Sequence, residues 1–149
     1  MKFSNYLPGF QSILRGMFFM SFLVLFSNTY SQKIEIVSNA TNNSYRGLSV
    51  VNDKVIWISG NNGTVERSID GGKTFEIIKV KGFEQNDFRD IEAFDANTAV
   101  IMAVAEPAYI LRTENGGKEW KTVYQNTTKG MFLDAMDFRG KNGVVVGDP

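Results

Sequence analysis

The 149-residue chain contains no cysteine and no histidine. Without cysteine there is no disulfide, no thiolate nucleophile and no Cys-ligated zinc or iron–sulfur centre. Without histidine, the commonest general base and the commonest transition-metal ligand are both missing. Ser-His-Asp catalysis, Cys-His catalysis and HExxH zinc chemistry are excluded by inventory. No GxGxxG occurs, so nothing marks a dinucleotide site. Helical periodicity is weak beyond residue 31, which points away from an α-class domain.

Charge is scarce at the beginning: Lys2 and Arg15 are the only charged residues among the first 31. Residues 17–26, MFFMSFLVLF, form an apolar run of signal-peptide length, short for a membrane span. Thr29 and Ser31 place small residues at the −3 and −1 positions before Gln32. This order predicts an export signal over residues 1–31, in preference to a transmembrane anchor or a buried helix. The mature chain is then periplasmic or extracellular, with no stable membrane insertion after cleavage. No cysteine follows the apolar run, which argues against a lipid anchor. Of the 16 basic residues, removing Lys2 and Arg15 leaves 14 against 16 acidic ones, a mature net charge of −2. That balance gives no electrostatic case for nucleic acid or an anionic membrane.

One stretch mimics a phosphate-binding loop. Gly72-Lys73-Thr74 reads as its closing G-K-T, but the required earlier glycine is Arg67. A strand-like run, residues 75–80, follows where a helix should begin. The stretch is better explained by its recurrence: SIDGGKTF at residues 68–75 returns as TENGGKEW at 113–120.

The whole sequence repeats with it. Tyr45-Arg46-Gly47-Leu48, Phe88-Arg89-Asp90-Ile91 and Phe132-Leu133-Asp134-Ala135 begin 43 and 44 residues apart. Each is followed by a second apolar run, at 55–58, 99–102 and 143–146. The first two units continue to a third run, at 63–67 and 108–112, then the repeated turn, then a fourth run at 75–80 and 120–124. The growth of the offset from 43 to 45 is placed in the first turn, Asn52-Asp53-Lys54 against Asp95 to Thr98. Four short strands in about 40–45 residues, joined by Gly/Asn/Asp turns, are the mark of a propeller blade. A β-solenoid has shorter coils. The expected fold is all-β: a β-propeller of four-stranded antiparallel blades over residues 32–149. The blades fall at 45–80, 88–124 and a truncated 132–149.

In each repeated turn, Ser68-x-Asp70-x-Gly72-x-x-Phe75 and Thr113-x-Asn115-x-Gly117-x-x-Trp120, the Asp or Asn is expected to hold backbone N–H groups. Glycine supplies positive φ, and the aromatic covers the hairpin and packs between blades. A calcium loop is disfavoured by ligand count, with at most one central carboxylate per turn for an ion that wants six to eight oxygens. No metal and no cofactor are expected.

At these residues the sequence resembles the Asp-box (BNR) repeat proteins, whose pattern is Ser/Thr-x-Asp-x-Gly-x-Thr-Trp. Phe75, Asn115 and Glu119 depart from it. The longer register FRDIEAFDANTAVIMAV…YILRTENGGKEW looks like the photosystem II stability/assembly factor branch of the sialidase-like propellers. The resemblance covers about Tyr45 to Pro149 and implies a closed ring, usually of six or seven blades. The chain is accordingly expected to be the N-terminal part of a protein of about 300–350 residues, extrapolating from the repeat length. Residues 33–38, KIEIVS, read as a lone strand, either completing the last blade of the ring or simply leading into the first.

Turns after the first and third strands share one end of a blade; those after the second and fourth share the other, usually the binding end. The repeated turns therefore lie away from the expected site. At the binding end fall Arg46 and Arg89 at equivalent inner-strand starts, Glu106 and Asp148 after second strands, and the connector 81–87, KGFEQND. The arginines either grip a carboxylate-bearing partner or pair with Asp90, Asp134 or strand carbonyls to hold blades together. Leu133 stands at the third equivalent position. The resemblance implies a non-catalytic assembly or stability factor whose partner is another protein, with a glycan as the lesser possibility. The alternative is a secreted sialidase-like glycoside hydrolase with most catalytic residues beyond Pro149. Against it, the early Arg-Ile-Pro signature is absent, and Tyr45, Tyr109 and Tyr124 have no assigned glutamate. Glu106 and Asp148 remain conceivable paired acids.

Overall fold

A computed structural model of the chain describes residues 33–36, 42–104 and 106–148. The expected export signal lies outside these residues. Residues 33–36 carry no strand, and the remainder of the KIEIVS run also lies outside the described residues. The ten strands of the described residues all belong to the unit Ile36–Pro149.

The first blade contains β1 (Tyr45–Val50), β2 (Ile56–Gly60), β3 (Thr64–Ser68) and β4 (Glu76–Lys79) in sequential order. The second contains β5 (Phe88–Ala93), β6 (Ala99–Ala103), β7 (Ala108–Thr113) and β8 (Lys121–Asn126) in the same order. A two-stranded sheet, β9 (Phe132–Arg139) and β10 (Asn142–Asp148), begins a third. Every pairing is antiparallel. This is a partial β-propeller, with β1, β5 and β9 as the neighbouring inner strands.

Burial follows the stacking. All five residues of β6 are buried, because the second blade is covered on both faces. Ala99, Ile101 and Ala103 join Trp57, Val65 and Phe88 in a core against the first blade. Val100 and Met102, one residue out of phase, join Leu133 and Met136 in a core against the third sheet. The period-2 alternation of a strand thus supplies two separate cores. In β2, by contrast, Trp57 and Ser59 are buried while Ile56 and Ile58 are only partly covered. Trp57 anchors the contact. Its indole N–H donates to Asp95 O at 3.0 Å, and Trp120 meets it edge-on with ring centroids 6.5 Å apart.

The register relocates the two-residue growth of the repeat. The turn after the first strand has the same length in both blades, closed by Val51 N–H to Val55 O and Phe94 N–H to Thr98 O. The opposing pairs after it are Ser59 with Val65 in one blade and Met102 with Ile110 in the other. The extra residues therefore sit in the loop after the second strand, around Glu106-Pro107, and not in the first turn. Apolar runs fix strands but leave the length of each intervening loop free to trade with its neighbour.

The inner strands carry a recurring bulge. Arg46 and Arg89 are the extra residues between ladder positions in β1 and β5. In β9 the extra residue is Asp134, not Leu133, because the bulge falls one position later. Leu133 is buried in the second core instead. A bulge turns the side chain of the unpaired residue out of the strand's alternation.

Candidate functional site

The two ends of the blades use their polar residues differently. At one end lie the repeated turns. Ser68 Oγ accepts from Gly72 N–H at 2.9 Å and donates to Asp70 Oδ1 at 2.9 Å. Asp70 then accepts from the Thr74 N–H at 3.0 Å and the Thr74 hydroxyl at 2.7 Å. The second turn repeats the scheme. Thr113 Oγ1 accepts from Gly117 N–H at 3.0 Å, and Asn115 Oδ1 accepts from Glu119 N–H at 3.0 Å. Asn115 Nδ2 in turn donates to Glu119 Oε2 at 3.2 Å. Gly72 and Gly117 have φ of 83° and 85°, the left-handed region that a side chain resists. Gly117 also abuts the preceding blade, where an added Cβ would lie 2.8 Å from Ile78 Cδ1.

These bonds set the titration of Asp70. Its carboxyl is held down to about 2, first by the Thr74 hydroxyl, then by the Thr74 N–H and by Ser68. Both carboxylate oxygens are engaged by the turn itself. The neighbouring first-strand turns follow the same logic with the residues exchanged. Asn52 Oδ1 accepts from Lys54 and Val55 N–H, whereas Asp95 Oδ1 accepts from Asn97 and Thr98 N–H. The Asn97 N–H leads in pulling the Asp95 carboxyl below its ordinary value, and the partial burial of the group opposes it. Gly71 N–H to Lys54 O and Gly116 N–H to Asn97 O tie the two turns of each blade together.

The opposite end forms an open groove of about 640 Å³. Its lining brings Arg46, Arg89 and Glu106 together with Phe83, Tyr109 and Phe132. The connector closes one wall: Gly63 N–H donates to Asn86 O at 2.8 Å, and Phe83 stacks edge-on against Tyr109 at 5.0 Å. An adjoining depression of about 560 Å³ is lined by Arg46, Arg89, Asp90 and Asp134.

Within this groove the two arginines differ. Arg89 is committed: its Nε donates to Asp134 O at 3.1 Å, its Nη2 lies 3.1 Å from Asp134 Oδ1, and it covers the Phe132 ring at 5.2 Å. It joins the second blade to the third sheet. Asp90 reinforces the junction by accepting from Met136 N–H at 2.8 Å. Among the described residues, Arg46 pairs only with Asp87, at 3.8 Å, with both side chains 43% exposed. Glu106 accepts from Gly130 N–H at 2.6 Å, so it pins the connector that follows the second blade. Deeper on β5, burial raises the carboxyl of Glu92, with Asp90 and Asp137 adding to the shift.

Asp148 is not part of this groove. It lines a separate apolar depression of about 520 Å³ with Ile110, Tyr124, Met131, Leu133 and Val145. The conceivable acid pair of Glu106 and Asp148 is thus divided between two surfaces. One tyrosine–glutamate contact escaped the sequence reading: the Tyr45 hydroxyl donates to Glu66, whose side chain is buried. Neither residue lines the arginine groove. Arg67 was missed as well. It donates to Ala96 O and Glu76 at 2.7 Å each and lies over Trp57 at 5.5 Å, linking the first two blades. Its recurrence in the repeat as Arg112 was the available signal.

No protein-family model matches the chain. No curated protein matches it either. Two solved structures share the fold. One, described as YCF48 bound to D1 peptide, superposes with a TM-score of 0.51 at 21% identity, covering 63% of this chain and 29% of that one. The other, YCF48 from Cyanidioschyzon merolae, gives a TM-score of 0.53 at 17% identity, covering 74% and 37%. The chain thus spans about a third of the length of these propellers.

Proposed function

We propose that the chain is part of an exported, non-catalytic propeller of the Asp-box type, acting as an assembly or stability factor that holds another protein. The partner presents a carboxylate or an acidic segment to Arg46 at the groove end, and the aromatic wall of Phe83 and Tyr109 receives its apolar part. The observation that carries this reading is the state of Arg46. It is a bulged, half-exposed cation in a groove, with its nearest carboxylate at the outer limit of an ion pair. A guanidinium so placed has donors to spare for a bidentate carboxylate contact. The sequence resemblance to the photosystem II stability/assembly factor branch and the fold shared with a propeller solved with a bound peptide support the same reading. The division of Glu106 from Asp148, and of Tyr45 and Glu66 from the arginines, leaves no hydrolase constellation among the described residues.

Binding to an array of immobilised acidic and neutral peptides tests the reading. Acidic peptides are expected to bind, and Arg46→Glu to weaken them by about tenfold or more through a lost charge-assisted contact and an added repulsion. Equal binding of neutral peptides, indifference to Arg46→Glu, or turnover of aryl sialosides or aryl glycosides would each reject it.

A further inference from the structure

The bulged residues of the inner strands are Arg46 on β1, Arg89 on β5 and Asp134 on β9, and all three line one depression. Each arginine meets the bulge of the next blade. Arg89 finds Asp134 there, at 3.1 Å. Arg46 finds Arg89, a like charge, so that solution is closed to it. Its counter-charge comes from the connector instead: Asp87 Oδ2 lies 3.8 Å from Arg46 Nη2. In the next seam the equivalent connector position is Met131, since Phe88 and Phe132 both open their inner strands. An acid before the inner strand thus stands in the seam where two arginines adjoin.

The backbone around Asp87 is fastened to both complete blades. Asn86 O accepts from Gly63 N–H at 2.8 Å, and Asp87 O accepts from Val104 N–H at 3.1 Å. The carboxylate is held less firmly. Its contact with Arg46 is longer than a hydrogen bond, and both side chains are half-exposed. An exposed pair of this kind contributes little and opens readily. Both residues line the groove of Phe83 and Tyr109. A carboxylate entering that groove toward Arg46 therefore meets a like charge already at the guanidinium.

On the reading of the groove as a seat for an acidic partner, we infer that Asp87 is an internal competitor: it occupies Arg46 in the free protein and is displaced when the partner's carboxylate arrives. Apparent affinity scales with the fraction of molecules in which Arg46 is free, so Asp87 holds it down. A ligand that makes the closer, bidentate contact with the guanidinium gains by displacing it. Asp87 is then a selectivity residue of the groove, while Arg89 stays committed to Asp134.

Calorimetric titration of the full 149-residue chain with a capped, glutamate-rich peptide, and with its glutamine version, tests the inference. Asp87→Asn is expected to tighten binding of the glutamate peptide about three- to tenfold, leaving the glutamine version unaffected. In an Arg46→Gln background the same substitution should give no gain, because the competition acts only through Arg46. An unchanged thermal midpoint verifies that each variant is folded. Equal affinity of wild type and Asp87→Asn would overturn the inference, as would weaker binding by Asp87→Asn, which would make Asp87 a support for Arg46. An equal gain in the Arg46→Gln background would also overturn it, reducing Asp87 to a general repulsive charge. Failure of every variant to bind the glutamate peptide would overturn the acidic-partner reading itself, and this inference with it.

Discussion

The two ends of the blades pose opposite problems to the same backbone. At the end of the first- and third-strand turns, side-chain oxygens are spent on neighbouring N–H groups, and the pattern recurs in both blades. At the other end, loop length changes from blade to blade, arginines stand on bulges, and a groove opens between adjacent blades. The first end is organised to satisfy itself, and the second leaves capacity for something else. The most recognisable motif in the sequence therefore marks scaffolding. In the proposed function, the less regular end is the one that receives a partner.

The largest test of this contrast is Trp57. It fills the seam beneath the second repeated turn, against Trp120 and Arg67. Trp57→Ala is expected to cost about 3–5 kcal/mol in urea unfolding, with cavity formation added to lost burial. Ser68→Ala and Thr113→Ala come next. Each leaves a buried glycine N–H without its acceptor, at a cost of about 1–3 kcal/mol. Similar losses at both turns would establish their equivalence, and a loss at only one would break it. At the groove end, Arg46→Ala should change stability by no more than about 0.5 kcal/mol, as expected of an exposed ion pair, while still lowering acidic-peptide binding.

The smallest effect separates the two turns by pH. The Asp70 carboxyl is lower in the folded chain, about 2, than the ordinary 3.8. The stability it contributes is present above pH about 4 and is lost as pH falls through the window from about 4 to 2. Asp70→Asn should flatten that part of the acid unfolding profile while keeping the turn, since Asn115 already does this work in the second blade. An acid profile unchanged by Asp70→Asn would show that the carboxylate is not what the turn titrates.

Strand order was legible because the sequence repeats itself. A repeat of this length with four apolar runs allows few folds, and every inner strand starts with its marker tetrad. Loop accounting was not legible, since two residues added after the second strand look the same, in the offset alone, as two added after the first. The bulges were hidden for a related reason. A sequence alignment placed Leu133 beside Arg89, but the ladder slips by one and delivers Asp134, the residue Arg89 pairs with. Three of the four site candidates share one groove because loops after second strands and starts of inner strands necessarily meet at one blade end. Asp148 departs because it ends the second strand of the third sheet, whose seam with the second blade forms a separate depression. The Tyr45–Glu66 contact joins the first strand to the third, and only the sheet register reveals it.

Amide hydrogen exchange with and without a bound acidic peptide tests the central claim most directly. The account predicts added protection at residues 82–87 and Glu106, with the amides of Gly72, Thr74, Gly117 and Glu119 unchanged. Protection concentrated at those four amides, with residues 82–87 unaffected, would contradict it.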